Sequence, residues 1–484
     1  MNQKCTTWKT LAASIFVGGL IATTGQAQSS DALLNTLIKK GIISEKEAQE
    51  IKTEAGKENQ KAFDKTFGAK TGMASWITSY KLYGDFRGRF EENYADNSFY
   101  EARERYRFRL RLGLNVSMLD SFDLGVRFSS GNPQSGGANN ANPGGQPITA
   151  NQDLNSLNTR KFAWIDAAYA RWTPIKNDTW TVSGIIGKMD NPFQLSNMVF
   201  DYDIDPEGAA LQVAYNLNDR HALKGNAGIF ILDEFNQPPN PVPTSPTAPT
   251  GREHVHHDPY MYGGQLLLES KWTPKIDTSL GVAGFDIVHR DSLSDLLQPR
   301  YNIGNSRDIN GFLIHNFQPI IGTGSATYKL ATFPFYTGQF PIKVGGEYMD
   351  NLAANSNNRA WRAGLTLGKA GRKNTWEINY RYQRLEADAW FDGLEDDDNG
   401  AFFAAGNPQV AGTFASPPAA GFVPGGWFGG TNIKGHQVVA TYSFTDFLNF
   451  TFIYYLNDAI INSTGPQDNR SRAGHFMADL NWKF

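Results

Sequence analysis

The spacing of apolar and polar side chains changes once along the chain. Over residues 31–55 apolar positions recur at helical spacing, with Leu33, Leu34, Leu37 and Ile38 on one stripe. Gly41 fits a C-cap there, and Ser44 with Glu47 forms a capping box for a second short helix. From Ser79 onward the period becomes two. In AGHFMADLNWKF, Phe476, Ala478, Leu480, Trp482 and Phe484 share one face, while His475, Asp479, Asn481 and Lys483 share the other. Trp376, Ile378, Tyr380 and Tyr382 alternate in the same way with Glu377, Asn379, Arg381 and Gln383. That alternation predicts strands with an apolar and a polar side. Sixteen are predicted, starting with 79–91, 103–118 and 121–130 and ending with 433–444, 447–458 and 472–484. The tenth, 323–332, competes with GFLIHNF (Gly311 to Phe317) for its place.

The connections carry as much information as the strands. After the first strand they alternate between long and short. Short ones such as Leu119-Asp120-Ser121, Asn218-Asp219-Arg220 and Thr445-Asp446 hold turn-forming residues. Long ones, at 131–159, 190–206, 233–259, 290–322 and 388–432, are rich in Gly, Pro and Asn. A soluble sandwich has no reason to gather every long loop at one end, whereas a membrane barrel has tight turns on one side and extended loops on the other. Strands of roughly 10 residues also match an apolar band of about 25 Å. The expected fold is all-β: a sixteen-stranded antiparallel transmembrane β-barrel over 79–484, with a short N-terminal helical segment. The closing Phe484 matches the terminal aromatic by which such barrels are recognised for insertion.

The N-terminus adds an address. Lys4 and Lys9 precede the apolar run LAASIFVGGLIA, and small residues lead to Ala27, so residues 1–27 read as a secretory signal peptide. Residues 28–55 then form a short periplasmic helical segment with coiled-coil character, and 56–78 a polar linker. Cys5, the one cysteine, leaves with the signal, which excludes disulfides, thiolate metal sites and cysteine catalysis from the remainder. A net charge of −3 gives no reason to expect nucleic acid as a partner. Aromatics at 13% with 48 glycines suit a barrel whose rings face outward.

The candidate chemistry begins in RERYRFRLRLGLNV. Arg103, Arg105, Arg107, Arg109 and Arg111 take every second position, between Tyr106, Phe108, Leu110, Leu112 and Leu114. Lipid excludes arginine by about 2–4 kcal/mol near the midplane, so the guanidinium face is expected to line the pore. The preceding strand adds Arg87 and Arg89, beside Lys81 and Asp85, to the same inner face. A polar face held in salt bridges within the barrel is the plainer reading of the same residues. Counter-charge is offered by the loop after the fifth strand, which carries Asp190, Asp201, Asp203, Asp205 and Glu207. Folded inward, it would form a constriction with carboxylates facing arginines. As a surface loop it would be solvated or hold calcium.

The signal peptide, the helical prelude LLNTLIKKGIISEKEAQEI, GKMDNPF at 187–193 with DIDPEG at 203–208, and the terminal Phe together resemble a family of outer-membrane porins related to the phosphate-selective porins O and P. The resemblance implies trimeric, water-filled channels, often anion-preferring, with stacked arginines and lysines in the pore. Other clusters read more plainly. His254, His256 and His257 fit a chance loop cluster better than a metal site, Glu395 to Asp398 a solvated charge run better than a calcium loop, and Pro238 to Thr250 an extended loop. No GxSxG, HExxH or phosphate loop occurs, so no enzyme and no cofactor is expected. The expected function is passive diffusion of small hydrophilic solutes across the bacterial outer membrane, with an anion preference from the arginine wall. Outer-membrane lipid and lipopolysaccharide would surround the barrel, and a homotrimer is expected. A surface-adhesive or anchoring barrel with an occluded lumen remains the second class.

Overall fold

The computed structural model describes residues 74–98, 100–133, 144–234, 257–293, 302–307, 312–403, 426–462 and 470–484. The signal peptide, the helical segment 28–55 and most of the linker lie outside the described residues, as do His254, His256 and the stretch 238–250. Seventeen strands share one sheet. One of them is the two-residue strand Gln152–Asp153, so sixteen form the wall. They are β1 (Ile77–Ala95), β2 (Arg103–Met118), β3 (Phe122–Ser130), β4 (Ala163–Lys176), β5 (Trp180–Lys188), β6 (Glu207–Asn218), β7 (His221–Ile231) and β8 (Tyr260–Thr273). The circuit continues through β9 (Ile276–Val288), β10 (Pro319–Leu330), β11 (Phe340–Asn351), β12 (Arg359–Gly368), β13 (Thr375–Leu385), β14 (Ile433–Ser443), β15 (Leu448–Ala459) and β16 (Ala473–Lys483).

Each strand pairs antiparallel with its neighbour, and β1 pairs with β16, so the sheet closes on itself. All sixteen predicted strands are found. The tenth begins at Pro319, earlier than expected, because Ile320 and Ile321 alternate between an exposed and a fully buried position and extend the ladder. Phe312, Leu313 and Phe317, the apolar residues of the competing segment, are buried instead.

The short connections are closed by their own side chains. Asn218 Oδ1 accepts from the N–H groups of Arg220 and His221, at 2.9 and 3.0 Å. Thr445 Oγ1 accepts from Phe447 and Leu448 at 3.2 and 2.9 Å. These are the self-bonded turns that Asn and Thr favour.

The outer face is apolar. Leu110, Leu112 and Leu114 are exposed, while Arg107, on the opposite face of the same strand, keeps only 4% of its surface. Paired rings at the short-turn end, Phe122 stacked on Trp172 at 5.7 Å and Trp180 tilted against Tyr215 at 4.4 Å, supply an aromatic girdle. A second group, Phe162 with Trp164 and Trp361 with Tyr382, lies toward the long loops. A closed sheet with an apolar girdled exterior and buried charges inside is a bilayer-spanning barrel, and barrels of this form belong to the bacterial outer membrane.

Candidate functional site in the lumen

The inner face of β1 and β2 forms a ladder of charge pairs. Because the strands run antiparallel, Arg111 and Arg109 stand near Asp85, and Arg107 and Arg105 near Glu91. Asp85 accepts from Arg109 Nη2 at 2.9 Å and from Arg111 Nε at 2.8 Å. Glu91 takes Arg107 at 3.2 Å and also Arg105. Asp153, on the short strand paired to β2, holds Arg107 Nε at 2.8 Å. Arg89 lies opposite Asp479 in the β1–β16 register and binds both its carboxylate oxygens, at 2.7 and 2.9 Å. Arg87 stands 3.7 Å from the same carboxylate and donates to Asn151 at 2.6 Å. Arg103 is exposed at the head of β2. Six of the seven expected pore-lining arginines therefore meet a carboxylate, and the wall is close to neutral rather than cationic.

The loop 189–206 enters the barrel. It leaves β5 through Gly187 and rejoins β6 at Gly208, two paired residues with φ of +113° and +156°. A Cβ at either position would strike the neighbouring strand's carbonyl, of Ala168 or Ile229, so the backbone bends here only with glycine. Beyond that hinge the loop is pinned to several strands. Gln194 N–H donates to Gln265 on β8 at 2.8 Å, and Ser196 Oγ to Glu347 on β11 at 2.5 Å. Asn197 Oδ1 accepts from Arg362 on β12 at 2.7 Å and from Arg381 on β13 at 3.3 Å. On its return Asp203 lies 3.4 Å from Arg109 and 3.9 Å from Arg111. Asp190 and Asp205 both bind Arg127 on β3, as does Asp166 on β4.

Of the five expected constriction-loop acids, Asp190, Asp203 and Asp205 thus contact arginines directly instead of facing them across a gap. Asp201 turns away, toward Asp396 and Asp397. Glu207 is the first residue of β6, exposed and paired with Lys188 at 3.0 Å, so it is a strand residue and not part of the loop.

Apolar packing fixes the loop as firmly as the charges do. Phe193 meets Phe285 edge-on at 4.8 Å and Phe230 at 6.0 Å. Phe200 meets Phe285 at 5.4 Å and Trp390 at 6.0 Å, and Trp390 Nε1 donates to Val199 O at 2.8 Å. One buried apolar cluster joins these rings to inward side chains from β5 to β13. The interior is therefore divided: charged along β1–β4 and β16, apolar along much of the remaining wall.

Trp390 belongs to a second inserted loop, which begins after β13. Its run Glu395 to Asp398 is a correction to the solvated surface run expected above. Glu395 keeps 1% of its surface and Asp396 6%. Asp396 accepts from Asn197 and, at 3.0 Å, from Tyr455 Oη. Asp398 lies 3.4 Å from Arg89. Burial pushes the Asp396 carboxyl up to about 7, with Asp398 beside it adding to the rise. Burial also acts on Asp398, but Arg89 first, then His475 and Arg107, outweigh it and hold its carboxyl down at about 2. Asp203 is likewise held below its ordinary value, burial being outweighed by Arg109, Arg87 and Arg111. Asp205 rises to about 7 because burial exceeds the pull of Arg127.

Arg127 was not singled out in the sequence, although it shares a face with Asp123, Gly125 and Ser129 of FDLGVRFSS. The counter-charges Glu91, Asp153 and Asp479 were also unmarked. Glu91 and Asp479 lie on faces already read as inward, which is the signal that could have found them.

A family model described as "Putative porin" matches residues 95–291. No curated protein sequence matches the chain. Among solved structures the chain is similar to OmpF of Salmonella typhi in complex with daunomycin, at 10% identity and a TM-score of 0.41, covering 84% of this chain and 97% of that one. It is similar to in-vitro folded OmpT of Vibrio cholerae at 10% identity and a TM-score of 0.40, covering 84% and 97%. Low-pH OprB of Pseudomonas putida gives 8% identity and a TM-score of 0.41, covering 84% and 92%.

Proposed function

We propose that this protein is an outer-membrane porin, a passive channel for small hydrophilic solutes, in which the anion preference expected of the arginine wall is largely offset by the carboxylates that meet it. The observation that carries the reading is the loop 189–206, which crosses the lumen of a closed barrel and ends beside a charged wall. A barrel of roughly 16–18 strands is wide enough for water, and a loop tied at several points of its inner wall would narrow it. Solutes would pass where Arg109, Arg111 and Arg127 meet Asp190, Asp203 and Asp205. Asp190 keeps 63% of its side chain exposed there. The porin family model over 95–291 agrees with this reading. GKMDNPF and DIDPEG, which flank the inserted loop, support kinship with the phosphate-selective porins. In this reading residues 1–27 direct export, 28–55 form the periplasmic helical segment, 56–78 link it to the barrel, and three copies assemble.

One observation favours the second reading, an anchoring barrel with a closed lumen: the apolar cluster around Phe193, Phe200 and Trp390 fills part of the interior. Planar-bilayer recording of the purified protein separates the two. Large, stable, ohmic steps support the channel; a folded barrel that gives none refutes it.

A further inference from the structure

One short turn folds back over the outside of the barrel. Phe340 on β11 shares the outer face with the exposed Val344 and Tyr348, yet is itself fully buried. The turn before it, 331–339, covers it. Phe333 stacks on Phe340 at 3.9 Å, and Tyr336 and Trp376 meet the same ring at 5.0 and 5.1 Å. Trp376 stands on the outer face of β13 with the exposed Ile378 and Tyr380. It pairs across the ladder with Tyr442, which meets Phe444 at 5.2 Å, so these rings continue the girdle of the short-turn end. Trp376 Nε1 donates to Phe335 O at 3.0 Å, which sets the tip of the turn against the lipid-facing side at girdle height. Tyr336 Oη donates to Lys369 O at 2.9 Å and accepts from Lys369 N–H at 3.1 Å, tying the turn to its neighbour, 369–374.

This frame presents one bare ring. Phe335 keeps 94% of its surface exposed, and its φ of +57° lies in the left-handed region, where a bulky residue is strained. A tip that only closed a hairpin would favour glycine there. On the tied neighbouring turn, Lys369, Arg372 and Lys373 are exposed and make no ion pair among the described residues. The carboxylates that reach this turn take its backbone: Asp446 Oδ1 accepts from Lys373 N–H at 2.7 Å, and Glu377 Oε2 from Ala370 N–H at 3.4 Å.

We infer that the turns 331–339 and 369–374 form an anchoring surface for anionic phospholipid of the periplasmic leaflet. Phe335 enters the boundary between headgroup and acyl chain, and Lys369, Arg372 and Lys373 meet the phosphates. An aromatic ring flanked by cations suits that boundary, since the ring leaves water while the cations stay at the charged surface. The surface is continuous with the apolar outer wall, which already lies against lipid, and short barrel turns face the periplasm. The inference rests on the barrel spanning the membrane and not on conduction.

The test places a fluorophore beside the ring without replacing it. Thr337, exposed in the same turn, is changed to cysteine (Thr337→Cys) in the full chain carrying Cys5→Ser, and labelled with bimane. The barrel is folded into vesicles of phosphatidylethanolamine and phosphatidylglycerol, with one or the other lipid spin-labelled high on its acyl chain. The label should be quenched by lipid, more strongly by phosphatidylglycerol, with a preference that fades as salt is raised. Phe335→Ala should free the label toward aqueous iodide. Lys369→Gln, Arg372→Gln and Lys373→Gln should each lower the preference by up to about fivefold, and together remove it while lipid contact persists. Quenching by iodide and not by lipid in the otherwise unchanged chain overturns the inference. An equal response to the two lipids does so too, as does a preference that survives the triple variant. Shielding from both quenchers would mean that protein covers the turn, the chain's own N-terminal segment or a second copy, and would also overturn it.

Discussion

Arg127 is the residue on which the return limb of the inserted loop depends. It gathers Asp166 from the wall and Asp190 and Asp205 from the loop around one guanidinium. Arg127→Ala removes one positive charge and leaves three carboxylates. A monovalent ion passing about 7 Å away feels about 0.6 kcal/mol from one charge in water, and salt screening at 0.1 M roughly halves that. The change has opposite sign for cation and anion, so the permeability ratio should move about threefold toward cations. In a tenfold KCl gradient that is a reversal-potential shift on the order of 20 mV. Arg127 also restrains Asp205, whose carboxyl burial already pushes to about 7. In the variant it would rise further and take up a proton near neutrality, hiding part of the lost charge, so the recording belongs at about pH 9. Arg127→Lys retains the charge and should stay near the wild-type value. A wild-type reversal potential in Arg127→Ala at alkaline pH would refute the placement of this cluster on the ion path.

The other predictions concern the two loops and the seam. Asp479→Ala leaves Arg89, a buried arginine, without its bidentate partner, and breaking such a pair costs about 3–5 kcal/mol; the unfolding midpoint in denaturant should fall, and an unchanged midpoint would count against the pairing. Trp390→Ala removes a fully buried ring from the lumenal cluster, at about 3–5 kcal/mol, and should raise proteolysis within 189–206 while leaving the wall intact. The clasp between the loops should weaken with rising pH. Asp396 has its carboxyl raised to about 7, so its contribution is complete below its ordinary value of 3.8 and is lost as pH climbs through about 7. Asp398, held at about 2, keeps its arginines throughout that range and loses them only as pH falls through about 2. Amide exchange over 386–403, corrected for intrinsic rates, should therefore increase from pH 5 to 8, and Asp396→Asn should abolish the increase.

The wall was legible in the sequence because a strand between lipid and lumen must alternate, and Leu110 or Phe476 has no other reason to recur at period two. The turns were legible for a similar reason, since Asn218 and Thr445 bond to their own backbone and need no distant partner. The filling of the lumen was not. Phe193, Phe200 and Trp390 sit in irregular segments without periodicity, and their burial depends on Phe285 and Phe317 from strands and loops far along the chain. The ladder shows the same limit: alternation marks the arginines' face, but their charge balance comes from Asp153 on a short paired strand, Asp203 on the inserted loop and Asp479 across the closing seam. The run Glu395 to Asp398 looked solvated because four acids in a row ordinarily are. Here Asn197, Tyr455 and Arg89 reward its burial.

The pairing of Arg89 with Asp479 joins residues 390 positions apart, at the junction where the first strand meets the last. Sliding one strand past the other by a single residue would turn the slipped strand's charge toward hydrocarbon and strand its partner's, and sliding by two would set Arg87 or Glu91 against the aspartate. The two-residue slip toward glutamate is repulsive, and the one toward Arg87 takes from Arg89 its bidentate carboxylate. Joining the chain's two edges is thus a proofread event, in which an incorrect seal is penalised by electrostatics before the membrane ever holds a finished cylinder.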